Sequence, residues 1–147
     1  MNLKTEKDVK QLAFEAWNKE QGNDNDSLDF DDENTVTDGN AEYIVLTDDE
    51  ANQMASDYIK DSVWAFNKSF LDCHSEAISA MDEETYKVIQ ERCESSNKAV
   101  WAMIDDKDHF IDDAIASDGR GHFLSSYDGN EHEIAYKGTY YFIYRTN

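Results

Sequence analysis

The sequence predicts an α+β fold of three to five helices packed on a small antiparallel sheet. Three observations carry that reading. Apolar residues recur at helical spacing through much of the chain. Glu42-Tyr43-Ile44-Val45-Leu46 is short, β-branched and aromatic, as a strand is. The chain closes on alternating aromatic and β-branched residues, Thr139 to Arg145, after turn-forming Asp128-Gly129 and Lys137-Gly138.

A length of 147 residues fits one domain spanning 1–147. Thr5-Glu6-Lys7-Asp8 opens the first helix, with Thr5 as cap and acids in the first turn. Val9, Leu12, Ala13 and Ala16 give its apolar face, Phe14 and Trp17 widen it, and Gly22 stops it. Residues 22–40 read as an acidic loop, beginning "GNDNDSLDFDDEN". Leu28 and Phe30 stand two apart in it, as in a short extended segment with one face on the core.

Strand 42–46 runs straight into Thr47-Asp48-Asp49-Glu50, a capping box in which Thr47 caps a helix and Glu50 reaches back to its amide. Ala51, Met54, Ala55, Tyr58, Ile59, Val63, Phe66 and Phe70 predict a core-facing stripe to about residue 71, with Trp64 beside it. Ser75 to Cys93 predicts one or two more helices, with an acidic first turn at 82–84. Ser95-Ser96-Asn97 is a break or cap. Val100, Trp101, Ile104, Ile111, Ala114 and Ile115 suggest a last helix ending near Gly119. The C-terminal residues predict an antiparallel meander of two or three strands, with strand 42–46 alongside.

Thirty-three acids against thirteen bases give a formal charge of −20. Such a charge opposes nonspecific binding to nucleic acid and to anionic membrane, both polyanions. The aromatic content of 12% argues for a folded core beneath that surface. Two cysteines make no disulfide framework, no apolar run suggests a signal peptide or membrane span, and a cytoplasmic location is expected.

The acids cluster. Residues 20–59 hold thirteen and no Lys or Arg. A second block holds Asp105, Asp106, Asp108, Asp112, Asp113 and Asp118 against Lys107 alone. On a helix, Asp105, Asp108 and Asp112 share one face with neighbours ~5–6 Å apart. Surfaces charged only for solubility mix signs. A carboxylate array of one sign suits a protein groove built from Lys and Arg to hold nucleic acid. The candidate contact residues are Asp24, Asp26, Asp29, Asp31, Asp32, Glu33, Asp48 and Asp49, with Asp105, Asp108 and Asp112 as a second patch.

Calcium-loop spacing fails in both registers of residues 22–34. A loop starting at Asp24 places Leu28 at position five. One starting at Asp29 places Asn34 at position six and Asn40 at position twelve. His74, His109, His122 and His132 stand at no zinc spacing with one another or with Cys73 and Cys93. No cofactor, metal or catalytic set is expected.

"YIVLTDDEANQMASDYIKDSVWAFNKSFL" and the ending "GRGHFLSSYDGNEHEI…YYFIYRTN" resemble short acidic proteins encoded by phages and other mobile elements, over residues 42–71 and 118–147. The resemblance implies a counter-defence role in a bacterial host, of the anti-restriction or anti-CRISPR kind, and brings no catalytic residues. The expected function is therefore non-enzymatic: an inhibitor that occupies the basic groove of a nucleic-acid-binding protein. The alternative is a structural or regulatory accessory protein, homodimeric through its aromatic C-terminal strand, whose charge serves solubility.

Overall fold

The computed structural model describes residues 6–23, 28–30 and 34–147. Among them, eight α-helices accompany a five-stranded antiparallel sheet, so the α+β class is borne out. In chain order these are α1 (Glu6–Glu20), β1 (Leu28–Phe30), β2 (Thr35–Asp38), β3 (Ala41–Thr47), α2 (Asp48–Asp61), α3 (Lys68–Asp72), α4 (Glu76–Ser79), α5 (Glu83–Glu91), α6 (Asn97–Met103), α7 (Lys107–Asp118), α8 (Arg120–Leu124), β4 (His132–Tyr136) and β5 (Thr139–Arg145). Two 3-10 turns, Val63–Ala65 and Cys93–Ser96, link helices. The chain divides into two compact units, Met1–Met54 with Arg120–Asn147, and Ala55–Gly119.

The first unit holds the sheet, in strand order β1-β2-β3-β5-β4. The expected pairing of the 42–46 strand with the C-terminus is present: Val45 lies opposite Ile143 and Leu46 opposite Phe142. Lys137 and Gly138 close the β4–β5 hairpin at φ 49° and 82°, the left-handed pair that a tight hairpin needs. Strand alternation sends Val36, Val45, Ile134, Tyr141 and Ile143 to one face, where they form a core with Ala13, Phe14 and Trp17 of α1. The Phe14 ring lies 5.2 Å from Tyr43 and 6.3 Å from Phe30. Burial of each large side chain there contributes about 1.5–3 kcal/mol.

Two described pieces of the segment read as a loop, residues 28–30 and 35–38, are strands. Thr35-Val36-Thr37 is a β-branched run that forms β2, and Gly39-Asn40 turns it into β3. Leu28 and Phe30 do form an extended pair packed against the core, and Asp29 between them is exposed.

The C-terminal strand does not offer an edge. β5 lies between β3 and β4, and the edge strands are β1 and β4. β5 therefore has no free edge on which a second strand could pair. Residues 120–124 are helical, so the C-terminal meander has two strands. Gly121 of α8 is buried, and a Cβ there would collide with the carbonyl oxygen of Gly129.

The second unit is helical, and its helices are shorter than the periodicity implies. The stripe from Ala51 to Phe70 is not one helix. α2 stops at Asp61, where the Ser62 hydroxyl donates to the Tyr58 carbonyl at 2.6 Å. Phe66 and Asn67 then turn extended before α3. Ala51, Ala55, Ile59, Val63 and Leu71 are buried, while Met54 and Tyr58 are exposed. The expected last helix is also two, because Ile104 is extended and Asp106 caps α7 through the His109 amide. Ser75 and Asp82 cap α4 and α5 in the same way. Phe66, Phe70 and Phe110 form the aromatic centre, with ring separations of 5.3–5.8 Å. No helix among the described residues is long and apolar enough to cross a membrane.

Candidate interaction surface

The expected contact residues separate into three groups. Asp24, Asp26, Asp31, Asp32 and Glu33 lie outside the described residues. The Thr5 cap does too. The remaining six are all exposed, and two of them, Asp48 and Asp105, are committed to internal bonds.

Asp29, Asp49, Asp108 and Asp112 are exposed, and none of the four forms an ion pair among the described residues. Strand register adds a fifth. Asp29 on β1 faces Thr37 on β2, and Thr37 faces Glu42 on β3. Alternation puts all three on the sheet face opposite α1, so two exposed acids flank one threonine, with strands ~4.8 Å apart. The Glu42 carboxylate accepts from the Thr146 hydroxyl at 3.2 Å. Asp108 and Asp112 stand one turn apart on α7.

Asp48 and Asp105 have internal work. Asp48 opens α2 beside Asp49, where carboxylates favour the helix N-terminus. It also receives Arg120 Nη1 on Oδ1 at 2.7 Å. The same guanidinium donates through Nε to Glu131 at 2.8 Å and lies 4.4 Å above the Phe142 ring. Tyr144 donates to Glu131 as well. Burial, that hydrogen bond and the Glu131 charge push the Tyr144 phenol far above its ordinary pKa. Asp105 lies before α7, not on it, so it does not share a helical face with Asp108 and Asp112. It accepts the Glu76 amide at 2.9 Å and so serves α4.

Glu50 completes the capping box as the sequence predicts. Its Oε1 accepts the Thr47 amide at 2.8 Å, and the Thr47 hydroxyl accepts the Glu50 amide at 3.3 Å. What the sequence conceals is Lys10, buried at 2% exposure, whose ammonium reaches Glu50 at 2.7 Å and Asn34 at 2.6 Å. Burial alone would raise the Glu50 pKa. The Lys10 hydrogen bond, the Thr47 bonds and the Lys10 charge outweigh it and leave the carboxyl below its ordinary value.

One histidine has a carboxylate partner. His74 Nε2 lies 2.7 Å from Asp113 Oδ2, and the imidazole is buried against Phe70, Phe110 and His109. Among the described residues, no hydroxyl or thiol hydrogen-bonds to that ring, so the pair holds α7 to the chain before α4. Cys73 and Cys93 are free and exposed. No group of three His, Cys, Asp or Glu side chains among the described residues is placed to hold a metal ion.

No protein family model matches the chain, and no match was found among curated proteins or solved structures.

Proposed function

We propose that the chain is a non-enzymatic acidic binding protein that occupies the basic nucleic-acid-binding groove of a protein partner, as a phage-encoded inhibitor of bacterial defence would. The observation that carries this reading is a set of exposed carboxylates in each unit, Asp29, Glu42 and Asp49 in the first and Asp108 and Asp112 in the second, none in an ion pair among the described residues. The chain has bases it could have spent on them. Instead Lys10 and Arg120 are turned inward to Glu50, Asp48 and Glu131. Standing carboxylates of one sign attract Lys- and Arg-lined surfaces over a Debye length of about 8–10 Å and speed encounter with them. Asp24, Asp26, Asp31, Asp32 and Glu33 belong to the same base-free block in sequence as Asp29, Glu42 and Asp49 and add to its negative charge.

Pull-down from bacterial lysate tests the reading, with the wild-type chain and a variant carrying D29N, E42Q, D49N, D108N and D112N. A basic nucleic-acid-binding partner is expected to be retained at ~50 mM salt, largely released at ~200 mM, and weakened about tenfold or more by the five substitutions. Retention that is indifferent to both salt and substitution overturns it.

A further inference from the structure

The acidic surface ignores a second feature, confined to the helical unit. A cleft of about 580 Å³ is lined by Lys60, Asp61, Glu94, Asn97, Lys98 and Trp101, a volume within the ~300–1,000 Å³ of small-molecule sites. Glu94, Asn97, Lys98 and Trp101 follow the spacing i, i+3, i+4, i+7, which puts them along one side of the Cys93–Ser96 turn and α6. Lys60 and Asp61 end α2 and form the other wall.

Asn97 fixes the two walls together. Its Nδ2 donates to the Lys60 carbonyl at 2.8 Å, and its Oδ1 accepts the Trp64 amide at 3.1 Å. Both ends of that amide are thereby used, and it serves as floor. Each wall then presents one acid and one base. Among the described residues, none of these four charged side chains forms an ion pair. Lys60 Nζ lies 6.0 Å from the centre of the Trp101 ring, and Lys107 Nζ lies 5.7 Å from it on the α7 side. The half-buried indole is the one large flat apolar surface in the lining.

A ligand with a single charge would meet its own sign on either wall. A ligand carrying both charges meets a partner for each. We propose that this cleft binds a small zwitterion of the amino-acid class with a flat apolar side group. The ammonium faces Glu94 or Asp61, the carboxylate faces Lys98 or Lys60, and the side group rests on Trp101. This site is independent of the binding function proposed above.

The test is NMR titration of the ¹⁵N-labelled full-length chain, read at the Trp101 indole N–H. Three probes share one ring: L-phenylalanine (zwitterion), 3-phenylpropionate (anion) and phenethylamine (cation). L-Phenylalanine is expected to give a saturable shift, and each singly charged probe to bind at least threefold more weakly. K98M and E94Q, at two exposed positions without ion pairs, are each expected to weaken L-phenylalanine at least threefold while the amide spectrum stays that of the folded chain. The proposal is overturned by no saturable shift up to the solubility of L-phenylalanine, by either singly charged probe binding as tightly, or by unchanged affinity in both variants.

Discussion

The Lys10 ammonium sits 2.7 Å from Glu50 Oε1, joining α1 to the first turn of α2 through a lysine that is almost wholly buried. Removing Glu50 leaves that ammonium its bond to the Asn34 amide oxygen but takes away its carboxylate, and it also opens the capping box. E50A is expected to destabilise the sheet unit by about 1–3 kcal/mol, discounted from the ~3–5 of a fully buried pair because Glu50 is partly solvated. K10M leaves Glu50 its Thr47 bonds and its water, so it is expected to be less harmful. Urea unfolding of the two variants checks the order.

The same pair sets a pH dependence. The folded Glu50 pKa lies below its ordinary value, so the folded state holds the carboxylate more tightly than the unfolded chain does. Its contribution is fully present above the unfolded glutamate pKa of about 4.3 and is lost as pH falls through the folded value. Wild-type stability should therefore fall below about pH 4–5, and the fall should be shallower in E50Q. Denaturant midpoints across that range measure it.

Gly121 passes too close to the Gly129 carbonyl for any side chain, and the obstacle is backbone. G121A is expected to destabilise the sheet unit by about 1–3 kcal/mol through forced backbone movement. G129A is strained differently, by its φ of 74° with open space around it. Thermal melts of both, followed by sheet circular dichroism, separate the two causes.

Asp112 separates binding from stability. It lies one turn beyond Asp108 and past the first turn of α7, so it meets like charge without gaining from the helix N-terminus. D112N is expected to stabilise the fold by about 0.2–0.5 kcal/mol while weakening the basic partner. A loss of both would mean that the carboxylate is structural.

Local chemistry was legible where one residue type forces one geometry. The Thr47–Glu50 box, the Lys137-Gly138 turn and the Leu28/Phe30 alternation all stand in the structure. Helix breaks were not legible, because Ser62, Phe66 and Ile104 end helical segments without Gly or Pro while the apolar spacing continues across them. For the same reason Asp105 reads as helical and is not. Strand β2 was hidden because its Thr-Val-Thr run lies among acids that read as loop. Lys10 and Arg120 draw their meaning from partners 40 and 72 residues away, which no local pattern reveals. The cleft at Trp101 does have a local signal, the spacing of Glu94, Asn97, Lys98 and Trp101, but its second wall comes from α2.

Competition for a partner's groove is the central claim, and displacement of nucleic acid measures it most directly. A labelled duplex is bound to the captured basic partner, the chain is titrated in, and anisotropy reports release. Wild type is expected to displace the duplex fully, added duplex to reverse this, and the D29N, E42Q, D49N, D108N, D112N variant to need about tenfold more protein. A ternary complex, with chain and duplex bound together to one partner, would contradict it.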